Sequence, residues 1–217
     1  MTALSAESAC YGTVSNGRLE GGVKLPEEGA NFRSYSSAAS LAGRTYVHSR
    51  VARVVEDAYA GLAQTLPDTV FVYGETGWRN GGRFRPHRTH QNGLSVDFFV
   101  PVRNAAGSSI PIPTSPVTRF GYDLDFNSAA QLGEMSIDFT ALAEHLHQLN
   151  LAAKKHRAPI ALVIFDPAYL EPLFAAPRGP LIRDLPFMKG KPWVRHDEHI
   201  HVDFAVPCRK RATPNAR

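Results

Sequence analysis

The stretch RHDEHIHVDF (residues 195–204) alternates in the way that decides how the chain is built. At the two-residue period of a strand, Ile200, Val202 and Phe204 fall on one face, and Asp197, His199, His201 and Asp203 on the other. The apolar face needs a core to enter, so residues 199–206 read as a strand of the main sheet. The polar face is a row of imidazoles and carboxylates, costly to bury unless each group finds a partner.

Working outward, residues 160–165 (IALVIF) read as a buried strand and are followed by a proline-rich stretch through Pro192. Phe139, Leu142, Ala143, Leu146, Leu149 and Ala153 recur at helical spacing, as do Val47, Val51, Val54, Val55, Ala58 and Leu62 further upstream. Two amphipathic helices follow, the earlier one ending near Pro67. Residues 69–73 (TVFVY) and 96–100 are β-branched and aromatic runs that read as strands. Between them lies a loop rich in glycine and arginine, and Pro111, Pro113 and Pro116 make residues 101–122 a long surface loop. Residues 11–44 show neither period and read as an ordered arm. Strands interleaved with two main helices predict a single α+β domain, its central, mainly antiparallel sheet flanked by helices and long loops. The expected boundaries are an N-terminal tail at 1–10, the domain at 11–208 and a basic tail at 209–217.

The 217 residues are 43% hydrophobic and 20% charged, enough to bury one sizeable core, and no apolar run approaches the roughly 20 residues of a membrane helix. Disordered, collagenous and membrane-spanning chains are excluded. The net charge of +4 suits an anionic partner, whether nucleic acid, an acidic membrane surface or a cell-wall polymer. Cys10 and Cys208 stand too far apart for a CxxC motif. Paired, they would staple the termini in an oxidising compartment; unpaired, they would be thiols of a cytosolic protein. The opening MTALSAESAC lacks the basic and apolar regions of a secretory leader, so an exported form is expected to have lost one.

Five of the nine histidines, His87, His90, His196, His199 and His201, fall in two short windows where an even spread would put about one. The windows are PHRTHQNGLSVDFFV (86–100) and RHDEHIHVDF. Gly93 lets the chain turn between His90 and Asp97, so that both side chains can meet one histidine of the His-x-His pair. Two histidines and a carboxylate make a plausible zinc sphere, because catalytic zinc takes three protein N or O ligands and leaves a fourth position to water. His145, His147 and His156, on or near the second helix, read as solvated.

The spacing His-x-x-His-x-x-Gly-x-x-x-Asp from His87 to Asp97, joined to His-x-His at His199 and His201, resembles the penicillin-insensitive murein endopeptidases. These belong to a metallopeptidase group with the lysostaphin-type enzymes, D-Ala-D-Ala peptidases and hedgehog domains. SNGRLEGGVKLP (15–26) and Gly81-Gly82 resemble the family too, so the likeness runs from about Tyr11 to about Cys208. It implies zinc ligation by His90, Asp97 and His201, with His199 as the catalytic base and His87 and His196 lining the site. It also implies a periplasmic enzyme that cuts the D-alanyl to meso-diaminopimelate amide of peptidoglycan cross-links. Family members often carry more disulfides than two cysteines allow.

Further roles follow from residue chemistry. His196 or His87 could stabilise a tetrahedral oxyanion. Asp203 could orient a ligand histidine or pair with an arginine. Trp78, Arg79, Arg83 and Arg85 could grip anionic peptide stems or form a solvated basic loop. Serine acylation, nucleotide binding and the zincin plan drop out, because Ser-x-x-Lys, Gly-x-Ser-x-Gly, a P-loop and His-Glu-x-x-His are absent. The competing readings are a leaderless phage-type lysin or effector, a D,D- or L,D-carboxypeptidase or a dipeptidase of the same superfamily, and a silent zinc-containing wall-binding module. No base-reading motif supports nucleic acid as the partner.

Overall fold

The computed structural model of the chain describes residues 7–190 and 192–211. A hairpin opens the fold, β1 (Ala9–Thr13) against β2 (Asn16–Glu20). Then come β3 (Phe32–Ser34), α1 (Ser49–Thr65), β4 (Phe71–Tyr73), β5 (Ser95–Phe99), α2 (Phe139–Lys155), β6 (Ile160–Ile164) and β7 (His199–Phe204). The central sheet has the order β6-β7-β5-β4-β3, antiparallel except for the last pair. This is the α+β domain that the periodicities predict, and among the described residues no helix is long and apolar enough to cross a membrane.

Both long helices form where the apolar stripes lie. The His48 ring caps α1 by accepting from the Arg50 N–H, and Asp138 caps α2 by accepting from the Ala141 N–H. Lys154 and Lys155 close α2 at the end where its dipole favours cations. Val51, Val54, Val55 and Leu62 of α1 are fully buried, each worth about 1.5–3 kcal/mol. The helices cover the face of the sheet that carries Phe98: its ring lies 6.4 Å from Tyr59 of α1 and 4.9 Å from His145 of α2. The opposite face of β5 and β7 is roofed by the loops that follow β4 and β5.

Several segments differ from their sequence reading. Residues 11–44 are not a featureless arm, for they contain β2, β3 and most of β1. The inward positions of β2 are Gly17 and Leu19, so a single apolar side chain marks its period. Residues 101–122 are not loop throughout. Val102–Arg103 and Ser109–Ile110 join Gln131–Leu132 and Met135–Ile137 in a second, four-stranded sheet, in strands too short to show a period. The proline-rich stretch holds two short helices, Leu170–Ala175 and Gly179–Ile182, with Pro180 in the first turn of the second, where it costs no hydrogen bond. The expected tails fall largely at 1–6 and 212–217, outside the described residues, and β1 already begins at Ala9.

His145 is not solvated. It is fully buried among Tyr59, Phe71 and Phe98, with ring centroids 5.4, 5.1 and 4.9 Å away, and neither ring nitrogen has a hydrogen-bond partner among the described residues. His147 and His156 are half-buried, and His156 holds Asp57 at 2.7 Å.

Cys10 and Cys208 form a disulfide across 198 residues. Cys10 is buried, and backbone hydrogen bonds between Arg209 and both Cys10 and Gly12 fasten the chain ends together. Closing so long a loop removes unfolded-state entropy worth about 5 kcal/mol in the chain-entropy model. The double variant Cys10→Ser/Cys208→Ser is therefore expected to lose up to about 5 kcal/mol of unfolding free energy, read as a lower urea midpoint; an unchanged midpoint would refute the stapling role.

Burial depresses the His145 imidazole to about 3. The unfolded chain protonates this ring first, so its contribution to stability is intact at neutral pH and falls by about 1.4 kcal/mol per pH unit between roughly 6.5 and 3. His145→Leu should shift the acid-unfolding midpoint, followed by circular dichroism, to lower pH. A midpoint at the same pH would rule this out.

Candidate active site

The register of β5 on β7 builds the centre. His201 lies directly opposite Asp97, and Asp203 opposite Ser95, so all four side chains leave the sheet on the face away from the helices. The Asp97 carboxylate is fully buried, with Oδ1 2.9 Å from His201 Nδ1. The other nitrogen of His201, Nε2, lies 2.9 Å from Asp203 Oδ1, which also accepts from Ser95 Oγ at 2.6 Å. Burial pushes the His201 imidazole down, but Asp203 and Asp97 outweigh it and leave it raised. Burial pushes the Asp97 carboxyl up, and the surrounding histidines hold it well below the usual carboxylate range.

The loop between β4 and β5 brings in two more histidines. A Cβ on Gly93 (φ 77°) would meet Leu19 Cδ2 at 2.6 Å and His48 N at 2.8 Å, so the turn that returns the chain to β5 needs a glycine. His90 itself is left-handed, with φ 66°. Its Nδ1 lies 3.1 Å from the Thr76 carbonyl, which can only accept, so the proton is on Nδ1. The lone pair of Nε2 therefore faces Asp97 Oδ1 at 3.3 Å, and this buried atom has no hydrogen-bond partner among the described residues. His87 holds Glu75 Oε2 at 2.6 Å through Nε2 and faces Asp97 Oδ2 at 3.8 Å through Nδ1. Burial would raise the Glu75 carboxyl, yet His87 and Arg44 hold it at about 2.

His199 completes the cluster. Its Nε2 stands 4.0 Å from Asp97 Oδ1, and its Nδ1 donates to Glu198 Oε1 at 2.9 Å. Burial lowers this imidazole, and the Glu198 and Asp97 carboxylates more than restore it, leaving it raised. The His196 ring lies 4.7 Å from that of His199, and its Nδ1 donates to the Val194 carbonyl at 2.7 Å. Burial lowers it to about 4, so it is neutral at pH 7. Beside His199, a cavity of about 380 Å³ is lined by Tyr122, Leu124, Asp125, Val194, Arg195 and Glu198, among others.

The structure thus brings His87, His90, Asp97, His196, His199, His201 and Asp203 together. Among the described residues, His87, His90 and Asp97 offer donor atoms all within 4.8 Å of one another, a group that could hold a metal ion. Other expected residues lie elsewhere. Asp197, which the strand period puts on the same face as His199, precedes β7 and turns away to accept from the Phe126 N–H at 2.6 Å beside Arg195. Trp78 packs edge-on to Phe84 at 5.1 Å and donates to the Arg83 carbonyl, and Arg85 is exposed, its carbonyl accepting from Arg44. Neither touches the cluster; Phe84, 5.7 Å from His87 and 5.6 Å from His90, and Arg44, which lies over the Trp78 ring and pairs with Glu75, connect them to it.

Sequence reasoning missed Glu75, Tyr122 and Glu198. Glu198 sits inside the second histidine window, where an acid next to a candidate base was a usable signal. Glu75 and Tyr122 had none, since only the packing of loops carries them to Asp97.

A family model described as penicillin-insensitive murein endopeptidase matches residues 10–216. No curated protein matches the chain. The matched span contains every member of the histidine and carboxylate cluster, and the chain belongs to the penicillin-insensitive murein endopeptidase family, peptidases of peptidoglycan.

Proposed function

We propose that the chain is a zinc endopeptidase that hydrolyses the D-alanyl to meso-diaminopimelate amide of peptidoglycan cross-links, acting in the periplasm. The observation that carries this reading is the buried Nε2 of His90, a lone pair without a hydrogen-bond donor, aimed at the same Asp97 oxygen that His201 approaches. Two lone-pair acceptors facing each other at 3.3 Å repel unless a cation lies between them. The donor set suits zinc, which favours imidazole and carboxylate ligands. His90, Asp97 and His201 would hold it. As the third ligand His201 is favoured over His87 because it is nearer Asp97 (2.9 against 3.8 Å); both have a carboxylate behind the far nitrogen, Asp203 and Glu75 respectively, as ligand histidines commonly require.

When bound, zinc supplies Lewis acidity, polarising the scissile carbonyl and acidifying water to a pKa of about 7. The chain's own residues move the protons. Glu198 fixes the tautomer of His199, so that Nε2 is free to take a proton from the attacking water and then deliver it to the leaving amine. Water oxygen thereby bonds to the carbonyl carbon as the amide C–N bond breaks. His196, tilted against His199 with ring centroids 4.7 Å apart, lines the same side; its one proton goes to the Val194 carbonyl and Nε2 carries a lone pair, so it would have to gain a second proton before it could donate to the oxyanion. The disulfide suits an oxidising compartment and so supports the periplasmic reading.

Purified protein is expected to carry zinc and to convert cross-linked muropeptide dimers into monomers, with a chelator abolishing turnover. His90→Ala, Asp97→Ala and His201→Ala should lose metal and activity together. His199→Ala should keep the metal and lose about 10²–10⁴-fold in kcat. Release of terminal D-alanine alone would show a carboxypeptidase instead, and metal with no turnover a wall-binding module.

Because His199 must be neutral to accept a proton, activity should fall on acidification through its pKa. Glu198→Gln removes a carboxylate that raises this pKa, so the acid limb of the kcat profile should move to lower pH. A limb that stays in place would exclude His199 as the titrating base.

A further inference from the structure

The segment that follows β5 delivers one side chain into the cluster. Tyr122 ends a kinked helical turn, Pro116–Gly121, in which Arg119 and Phe120 take left-handed φ values of 47° and 59°. Its hydroxyl accepts from the Glu75 N–H at 2.9 Å, so its own proton is free to go to Asp97 Oδ2 at 3.0 Å. The two oxygens of Asp97 therefore have different company. Oδ1 faces His90, His199 and His201, and Oδ2 is held by Tyr122, with His87 beside it. The Tyr122 ring also separates two imidazoles, meeting His87 edge-on at 5.5 Å and His199 at 5.1 Å.

Gly74 makes room for this arrangement. A Cβ there would come within 2.5 Å of the Tyr122 hydroxyl and 3.1 Å of Asp97 Cβ. The Gly74 N–H meanwhile donates to the Asp97 carbonyl, and the Asp97 N–H to the Glu75 carbonyl, so the backbone that carries the hydroxyl's donor is itself locked to Asp97.

We infer that Tyr122 is a positioning residue, which fixes the rotation of the Asp97 carboxylate so that Oδ1 alone is presented to the metal, and that Gly74 is required because only glycine leaves space for its hydroxyl. This rests on the proposed zinc site. Losing a hydrogen bond that orients a ligand carboxylate weakens metal binding about 10–100-fold, and without Tyr122 the carboxylate is free to rotate and offer either oxygen.

The test compares wild type, Tyr122→Phe and Gly74→Ala. Zinc affinity is measured by competition with a chromophoric chelator, ligand geometry by the visible absorption of the cobalt(II)-loaded protein, and folding by thermal melting. Tyr122→Phe is expected to melt near wild type, bind zinc about 10–100-fold more weakly, show shifted cobalt bands, and lose kcat with little change in KM. Gly74→Ala, which keeps the hydroxyl but displaces it, should reproduce the weaker binding and the shifted bands. A purely structural role would move the melting temperature and leave the cobalt spectrum of the folded fraction unchanged. Wild-type affinity and spectrum in either folded variant overturn the inference while leaving the zinc site standing; a wild-type protein that takes up no zinc overturns both.

Discussion

A carboxylate with no access to water, set in the middle of a sheet, governs this molecule. An unpaired charge in such a place costs several kcal/mol, enough to consume much of a domain's net stability. Asp97 escapes that cost because its hydrogen-bond partners arrive from separate parts of the chain, His201 from the neighbouring strand and Tyr122 from the loop after β5, while the loop before β5 sets His87 beside it and His90 across the proposed cation site. Each of those segments has its own reason to be held. His90 adopts a left-handed backbone, a conformation worth about 1–3 kcal/mol of strain, and its hydrogen bond to the Thr76 carbonyl helps to keep it there. The site and the fold of the loops are one problem with one solution.

What could be read from the sequence follows from the range of the interactions involved. α1, α2 and β7 are long enough for several turns or alternations to repeat, so their faces declare themselves, and β6, though only five residues, is an unbroken apolar run. β2, β3 and the strands of the small sheet have five residues or fewer, and a single glycine such as Gly17 erases the pattern. The histidine windows were legible because two proposed ligands lie on one turn-and-strand segment and a third on a strand with period two. Tyr122, Glu75 and His145 were not. Nothing local separates a tyrosine at the end of a surface loop from one that touches Asp97, or a histidine on a helix's wet side from one lodged among Tyr59, Phe71 and Phe98.

The disulfide belongs to the same logic at a larger scale. The opening hairpin and the segment after β7 are far apart in sequence yet adjoin, Tyr11 bridging Arg209. β2 packs Leu19 under the turn at Gly93, and β7 carries His199 and His201. Joining Cys10 to Cys208 limits how far either segment can drift in partly unfolded states. The chain ends thus help to keep a buried polar cluster registered, which a cross-link elsewhere on the surface would not do.

Two of the imidazoles around Asp97 are backed by a glutamate, and the difference between those glutamates decides which of the two is suited to carry protons. Glu75 serves His87, but it also accepts from the Tyr35 hydroxyl at 2.8 Å and pairs with Arg44, whose guanidinium lies over Phe84. Its charge is already neutralised, and it acts as a brace for the loop. The Glu198 carboxylate, among the described residues, contacts His199 alone. When His199 gains a proton, an uncommitted negative charge stands 2.9 Å from Nδ1 to stabilise the imidazolium, and Asp97 lies 4.0 Å from Nε2 on the other side. That arrangement suits His199 to its proposed part in proton transfer, and the braced Glu75 leaves His87 suited to holding position.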